Sequence, residues 1–273
     1  MVVWVLNMEN VKRIIAVASG KGGVGKSTTA VNLALALKSQ GHNVGLLDAD
    51  IYGPSVGLML GVAEGTKPKV QKENFFEPVM AHGLQTMSMA YLVTDKTPMV
   101  WRGPMASGAL QQILTQTRWD NLDYLVIDMP PGTGDIQLTL AQKAKVDGAV
   151  IVTTPQDLAL LDAKKGIEMF QKVKVPVLGI VENMAIHICS NCGHEEHIFG
   201  EQGGQKLANE YGATLLGQLP LDIAIRTETD NGIPTVVASS NSKNRDYYLE
   251  IASNVVSELE NTEDDQGPVI TFS

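Results

Sequence analysis

Short apolar runs alternate along this chain with longer stretches in which apolar residues recur at helical spacing. The runs predict six strands, at 13–18, 43–48, 124–128, 148–153, 177–181 and 214–219. Helical patterns fall between them, directly after the first strand and around 105–117, 158–172, 204–211 and 245–258. Strands that are apolar on both faces and separated by helices are typical of a parallel sheet covered on both sides. The pattern therefore predicts an α/β fold of three layers, in which a mostly parallel sheet lies between two layers of helices.

The same pattern indicates a single domain over residues 11–260. Residues 62–100 are less regular and predict an antiparallel excursion from the main sheet. We expect residues 1–10 to form an N-terminal tail and residues 261–273 to form an acidic, flexible C-terminal tail, because charged chain ends are usually solvated and frayed.

A glycine-rich segment with two lysines links the first strand to the first helix. It reads Gly20-Lys21-Gly22-Gly23-Val24-Gly25-Lys26-Ser27 and fits the phosphate-loop pattern G-x-x-x-x-G-K-[ST]. Backbone N–H groups of such a loop wrap phosphate groups, and the positive end of the following helix dipole faces their charge. The predicted nucleotide ligands are the residues of this segment and Thr28. Strand, loop and helix together indicate a P-loop NTPase.

Three residues of this region have predicted roles toward ATP and Mg²⁺. Lys26 is expected to reach the β- and γ-phosphates, and the Ser27 hydroxyl is expected to bind the metal. Asp128 ends the strand 124–128 and is the predicted carboxylate near Mg²⁺, which keeps several waters and uses few protein carboxylates. The loop 129–135 that follows is expected to sense the γ-phosphate, with an ordinary strand-ending turn as the alternative.

Asp48 and Asp50 offer two more carboxylates at the end of the strand 43–48. Alternate residues of a strand share a face, so we expect both side chains to point toward the metal and the attacking water. Our hypothesis assigns Asp50 to orienting or polarising the water and places Asp48 nearer the Mg²⁺.

The chain has two cysteines, Cys189 and Cys192, which form a C-x-x-C pair near His187, His194 and His197. A structural disulfide is disfavoured because nothing indicates secretion, and a thioredoxin-like redox pair normally opens a helix. Zinc stays open, although the pair and the histidines are closer together than the ligand pairs of zinc fingers. A two-fold axis would instead bring four thiolates together, the set that holds a [4Fe–4S] cluster. The spacing alone leaves zinc and cluster equally open.

Charge and hydropathy narrow the partners and the compartment. The net charge is −9, which argues against nucleic acid or an anionic membrane as the main partner. No apolar run approaches the ~18 residues of a membrane-spanning helix. The N-terminus lacks the basic region of a signal peptide and the arginines of a transit peptide. We therefore expect a cytoplasmic protein, with a mature mitochondrial matrix protein as the minor alternative.

Seven blocks in a fixed order resemble one known family. They are residues 18–29, 48–55, 101–104, 128–135, 154–156 and 182–184, followed by the cysteine pair. Together they are similar to the Mrp/ApbC family of ATP-dependent iron–sulfur cluster carriers, including its mitochondrial member, over about residues 10–260. The resemblance implies a homodimer that binds a labile [4Fe–4S] cluster between its subunits. It also implies slow ATP hydrolysis, and exchange of the cluster with scaffold proteins and apo-proteins.

The resemblance implies several residue roles as well. Lys21 matches the first lysine of the deviant Walker A loop, K-G-G-x-G-K-[ST], which reaches across a dimer to the partner's nucleotide and stabilises the transferred phosphoryl group. Cys189 and Cys192 match the cluster ligands. Asn183 matches a residue near the adenine of related ATPases, with a strand cap as the alternative. The turn Pro220-Leu221-Asp222 occupies a place that can contact the base.

Two departures limit what the resemblance carries over. Only about ten residues precede the first strand here, where many bacterial members carry a further N-terminal domain, and the N-terminal four-cysteine motif of cytosolic eukaryotic members is absent. Partition and division-site ATPases share the phosphate loop and are the rival interpretation. They leave the cysteine pair unexplained, and the acidic C-terminus lacks the basic amphipathic helix of membrane-positioning members.

Overall fold

The computed structural model describes residues 8–71, 75–92, 103–238 and 242–264, with the backbone alone described at 103–107 and 263–264. The predictions for most of the N-terminal tail, for Trp101 and Arg102 of the third block, and for residues 265–273 lie outside this part of the chain.

The middle layer is a mixed, mostly parallel sheet of nine strands in the described residues. Together with two short strands outside this sheet, the strands in chain order are β1 (Val11–Ala18), β2 (Val44–Asp48), β3 (Lys69–Val70), β4 (Phe76–Glu77), β5 (Val79–Ala81), β6 (Leu84–Ser88), β7 (Leu122–Asp128), β8 (Gly148–Thr153), β9 (Val177–Ile188), β10 (Glu195–Glu196) and β11 (Leu215–Pro220). The order across the sheet is β10-β9-β8-β1-β7-β2-β6-β5, and β11 pairs in parallel with β9. Short β3 and β4 pair separately.

Helices cover both faces of this sheet. They are α1 (Lys26–Ser39), α2 (Val56–Met59), α3 (Gly103–Gln116), α4 (Asp135–Lys143), α5 (Asp157–Lys172), α6 (Gly203–Tyr211), α7 (Ile223–Asp230), α8 (Thr235–Ala238) and α9 (Lys243–Asp264). Ile15 and Val17 pack with α1 and α9, whereas Ile14 and Ala16 pack in the other core with α3 to α6. The three predicted layers are confirmed, because alternate residues of one buried strand serve opposite cores. None of the helices in the described ranges combines the length and the apolar character that a bilayer crossing requires.

The predicted antiparallel excursion is also present in the described part of residues 62–100. β5 and β6 form an antiparallel hairpin, and β6 then joins β2 in parallel. The excursion therefore adds two strands to one edge of the main sheet.

Several elements differ from the sequence prediction. β9 was expected to end at residue 181 but continues to Ile188, because its outer half pairs with β10 and with the end of β11. Asn183 consequently lies inside a strand, and not just after one as predicted. The short helices α4 and α7 were not predicted, and α9 runs to Asp264, past the expected domain end at 260.

Candidate nucleotide site and cysteine hairpin

The phosphate loop surrounds a cavity of about 200 Å³ between β1 and α1. The cavity is lined by Ser19, Gly22, Gly23, Gly25, Lys26, Ser27, Thr28, Asp50, Met59 and Pro131. The loop 129–135 closes over this region, since the Gly132 N–H donates to the Ser19 carbonyl at 3.0 Å. Of the predicted loop ligands, Gly20, Lys21 and Val24 lie outside the lining. The structure thus brings Asp50 and the loop after β7 to the phosphate loop, as the strand-end rule for α/β sheets predicts.

Gly25 is one position where the phosphate loop requires glycine. Its φ is +86°, in the left-handed region, and a Cβ there would lie 2.1 Å from Asn183 Nδ2. The Thr29 hydroxyl donates to the Gly25 carbonyl at 2.9 Å and so ties the loop to the first turn of α1. A side chain at this position would both strain the backbone and displace a neighbour.

Lys26 and Asp128 form a buried ion pair with an Nζ–Oδ1 distance of 2.5 Å. Lys26 also donates to the Ser27 hydroxyl at 3.2 Å. Burial raises the pKa of Asp128, and the Lys26 ammonium and the Ser27 hydroxyl act in the opposite direction. The second carboxylate oxygen, Oδ2, is buried without a hydrogen-bond partner among the described residues. A free carboxylate oxygen beside a serine hydroxyl suits Mg²⁺, which is the fit that the predicted metal site requires.

Asp48 is fully buried, and both of its carboxylate oxygens accept hydrogen bonds. Oδ1 accepts the Asp50 N–H at 3.1 Å, and Oδ2 accepts the Val56 N–H at 3.1 Å and the Ser88 hydroxyl at 3.0 Å. Burial, followed by the charge of Asp128 directly opposite it in the sheet, raises the pKa of Asp48 to about 7. The hydrogen bonds of Asp48 therefore hold the loop after β2 in place. Asp48 is not among the residues that line the cavity.

Asp50 is the acid of this pair that faces the cavity. Its Oδ1 accepts the N–H groups of Tyr52 and Gly53, both at 3.2 Å, which fixes the carboxylate at the start of the turn. Lys21 is half-buried, and the part of the chain that the structure describes offers its ammonium no ion-pair partner. Among the described residues, the charge of Lys21 is thus not compensated by an ion pair.

Asn183 contacts the phosphate loop through its side-chain amide. Nδ2 donates to the Val24 carbonyl at 2.9 Å, and Oδ1 accepts the Met184 N–H at 3.0 Å. Nothing in the sequence had indicated this contact between residues 159 positions apart. The preceding residue, Glu182, is fully buried and accepts hydrogen bonds from the Gly204 N–H and from Gln218.

The turn Pro220-Leu221-Asp222, which the resemblance places near the nucleotide base, is held by hydrogen bonds within the chain. Pro220 is buried at the end of β11. Asp222 is the N-cap of α7, where Oδ1 accepts the Ala224 N–H at 2.7 Å, and Oδ2 accepts Asn244 Nδ2 at 3.0 Å. Aspartate is a common N-cap residue, because its carboxylate accepts a backbone N–H of the first helical turn. Interpreting Asp222 as an N-cap would have predicted α7.

The cysteine pair lies in the turn of the hairpin formed by β9 and β10. The Cys189 N–H donates to the His194 carbonyl and the Gly193 N–H donates to the Cys189 carbonyl, both at 2.9 Å. Both thiols are free, with Cys189 half-buried and Cys192 exposed. Backbone N–H groups of Cys192 and then Asn191, together with the Cys192 thiol, lower the pKa of Cys189. These contacts favour the thiolate, the form of cysteine that binds metals.

The neighbouring histidines have other contacts. His187 Nδ1 lies 3.1 Å from the Leu221 carbonyl, and His197 Nδ1 lies 2.9 Å from the Ala185 carbonyl. Across the described ranges, no group of three or more His, Cys, Asp or Glu side chains is arranged to hold a metal ion. The cysteine pair therefore has no third ligand within the described part of one chain.

Comparisons with known proteins agree with the sequence motifs. Residues 10–256 match the family model described as ParA, NUBPL iron-transfer P-loop NTPase. An iron–sulfur cluster carrier protein of Pseudomonas fragi is 68% identical over 245 residues, 90% of this chain and 85% of that protein. The mouse iron–sulfur cluster transfer protein NUBPL is 50% identical over 257 residues, covering 93% and 80%.

A solved structure is similar over most of the chain as well. The nucleotide-binding protein of Archaeoglobus fulgidus in complex with ADP superimposes with a TM-score of 0.73 and 41% identity, covering 83% of this chain and 88% of that one. Three findings lead to one assignment. They are a fold of this type, a phosphate loop with acidic residues at the neighbouring strand ends, and the match to a family model over most of the length of the chain. The chain belongs to the family of iron-transfer P-loop NTPases, the Mrp/ApbC iron–sulfur cluster carriers that its motifs resemble.

Proposed function

We propose that this protein is an ATP-hydrolysing carrier that binds a labile [4Fe–4S] cluster between two copies of the chain and transfers it to apo-proteins. The observation that carries the proposal is the Cys189/Cys192 pair, exposed in a hairpin turn without a third ligand in the described part of the chain. Four thiolates complete the coordination of such a cluster, and two copies related by a two-fold axis supply them. The names of the relatives, carrier and transfer proteins for iron–sulfur clusters, support the same cargo.

The hairpin supports this cargo chemically. Backbone N–H groups directed at the Cys189 sulfur lower its pKa and stabilise negative charge on the thiolate. Exposure of Cys192 leaves the cargo within reach of a partner protein, which a transfer reaction needs. A resident structural metal would instead be expected in a closed site.

The phosphate loop handles the nucleotide in our proposal. Lys26 would leave its pairing with Asp128 to contact the β- and γ-phosphates, and Ser27 with the free oxygen of Asp128 would hold Mg²⁺ directly or through water. Mg²⁺ would neutralise charge on the phosphate oxygens. Asp50 lines the cavity and orients the attacking water. We assign Asp48, expected from the sequence to lie nearer the metal, to holding the loop that carries Asp50, because its oxygens accept bonds from that loop.

Lys21 completes the site of the other copy. Its ammonium has no ion-pair partner in the described part of its own chain, and a half-buried cation is poorly solvated when left alone. Reaching a triphosphate across the dimer would compensate that charge. Coupling of dimerisation to ATP follows, since each copy supplies a cation that the other lacks. We further infer a cytoplasmic location, with cluster scaffold proteins and apo iron–sulfur proteins as the partners.

Anaerobic reconstitution with iron and sulfide tests the cargo. We expect about four irons and four sulfides per two chains in the wild type. Cys192→Ser is expected to abolish loading, whereas His194→Ala, a change in the same turn, is expected to retain it. Two results would contradict the proposal. One is stoichiometric zinc that iron and sulfide fail to displace, and the other is loss of cluster loading in His194→Ala but not in Cys192→Ser.

Hydrolysis is tested with Asp50→Ala. ATP binding and cluster loading are expected to persist in this variant, while phosphate release from ATP falls by a factor on the order of 10² or more, typical for loss of a residue that positions the attacking group. Hydrolysis at the wild-type rate would assign the role to another residue.

A further inference from the structure

A single side-chain amide joins the phosphate loop to the strand that carries the cysteines. Asn183 donates from Nδ2 to the Val24 carbonyl, and its Oδ1 accepts the Met184 N–H. The contact is tight, because the space that a Cβ of Gly25 would occupy lies 2.1 Å from the same Nδ2. The amide therefore bonds one backbone group of the loop and one of β9.

β9 leaves its neighbour β8 at this point, while its parallel pairing with β11 continues to Ile186. Its pairing with β8 ends where Glu182 lies opposite Thr153. Two residues later Met184 has a φ of +56°, a left-handed conformation that few residues with side chains adopt. Its N–H bonds the Asn183 side chain. The backbone thus turns at Met184, and the Asn183 side chain holds the turn.

Beyond the turn the chain forms what we call the hairpin arm, residues 183–197. Its root bonds the end of β11 through the Leu221 N–H and the Ile186 carbonyl at 2.8 Å. Its outer part is the two-residue pairing of β9 with β10, which holds the cysteine turn. Cys189 follows Met184 by five residues. The arm is thus joined to the rest of the chain at its root, by the Asn183 amide and by the bond between Leu221 and Ile186.

The phosphate loop meets the arm at this same base, through the Val24 carbonyl that Asn183 bonds. The Val24 carbonyl and the Gly25 N–H belong to one rigid peptide group. N–H groups of a phosphate loop point at bound phosphate, so a phosphate in the loop would constrain the orientation of this peptide and with it the carbonyl that Asn183 bonds.

We propose that Asn183 is a positioning residue that couples nucleotide occupancy of the phosphate loop to the conformation of the hairpin arm. A diphosphate or triphosphate in the loop reorients the Val24 carbonyl, and the Asn183 amide passes this change through Met184 to Cys189 and Cys192. This inference rests on the proposed function, because it supplies the route by which the nucleotide state controls the grip on the cluster. Contact between Asn183 and the adenine, which the sequence predicted, is not required.

Hydrogen–deuterium exchange on cluster-free protein tests the coupling, with saturating ADP as the probe. In the wild type, ADP is expected to change the exchange of amides in the phosphate loop and in the hairpin arm. In Asn183→Ala, the change in the loop is expected to persist while the change in the arm is lost. Asn254→Ala is the matched control, since Asn254 also donates from Nδ2 to a backbone carbonyl, that of Leu216, at 2.8 Å. Both changes are expected to persist in that control.

A second variant tests the turn without touching the amide. Met184→Val disfavours the left-handed backbone at φ +56°, because a β-branched residue rarely adopts it, so ADP is expected to alter the loop as before and the arm much less. A full ADP response of the arm in either variant, or no response of the arm in the wild type, would overturn the coupling. Loss of ADP protection from the loop itself in Asn183→Ala would also overturn it, in favour of direct nucleotide binding by this residue. Cluster loading is measured separately, so failure of the carrier function is seen in the iron and sulfide content and failure of the coupling in the exchange data.

Discussion

Substitution of Gly25 by alanine separates two effects in the phosphate loop. The new methyl group would occupy a left-handed backbone position, with φ at +86°, and would collide with the Asn183 amide. The left-handed conformation costs about 1 kcal/mol or more for a residue with a Cβ. Displacing Asn183 removes its hydrogen bond to the Val24 carbonyl, worth about 1 kcal/mol. We expect Gly25→Ala to lower the free energy of unfolding by about 2–3 kcal/mol.

Thermal unfolding of the nucleotide-free protein measures this cost. For a domain of this size about 1 kcal/mol corresponds to 2–4 °C, so the Tm is expected to fall by about 5–10 °C. Gly22→Ala is the control in the same loop, because a Cβ there meets nothing within 4 Å and the backbone lies outside the left-handed region. Its Tm is expected to stay within about 2 °C of the wild type, with a small gain from reduced unfolded-state entropy.

A double-mutant cycle assigns the two effects. In the Asn183→Ala background the collision is absent, so adding Gly25→Ala is expected to cost only the backbone part, about 1 kcal/mol. A Tm for Gly25→Ala equal to that of Gly22→Ala would refute the packing of Asn183 on the phosphate loop, and with it the base of the proposed coupling.

Two further predictions concern charged groups of the site. Lys21→Ala is expected to lower ATP hydrolysis by a factor on the order of 10³, as for other cations supplied in trans, with ATP affinity little changed. Lys12→Ala, which removes an exposed ion pair with Asp123, is the control. Turnover near the wild-type rate in Lys21→Ala would count against the trans role. Asp48 is expected to make the nucleotide-free protein less stable as the pH rises from about 4 to 7. Its pKa moves from 3.8 to about 7 on folding, so between these values the folded chain keeps a proton that the unfolded chain releases. Asp48→Asn is expected to flatten this dependence of Tm on pH, and an unchanged slope would show that the proton is bound elsewhere.

The parts of the site predicted from the sequence are those that local pattern and strand order determine. The phosphate loop is a continuous segment, and its glycine and lysine spacing is visible without the fold. Asp48 and Asp128 end neighbouring parallel strands, and such ends meet at one edge of the sheet, where the structure pairs the two residues in register. The C-x-x-C spacing likewise identified Cys189 and Cys192 as the candidate metal ligands.

The parts that the sequence did not predict depend on partners far along the chain. The Ser88 hydroxyl that bonds Asp48 lies 40 residues away, and the Val24 carbonyl that bonds Asn183 lies 159 residues away. No periodicity of one segment carries such information. The outer half of β9 was not predicted for the same reason, because its pairing at Ile186 is made by Leu221 after β11.

The most direct test of the account is the mass of the cluster-loaded protein, measured by native mass spectrometry under anaerobic conditions with and without ATP. We predict that four irons and four sulfides appear only on a species of two chains, and that Cys192→Ser yields chains without iron. A single chain that carries the whole cluster and still delivers it to an apo-protein would contradict the claim that two copies share the site.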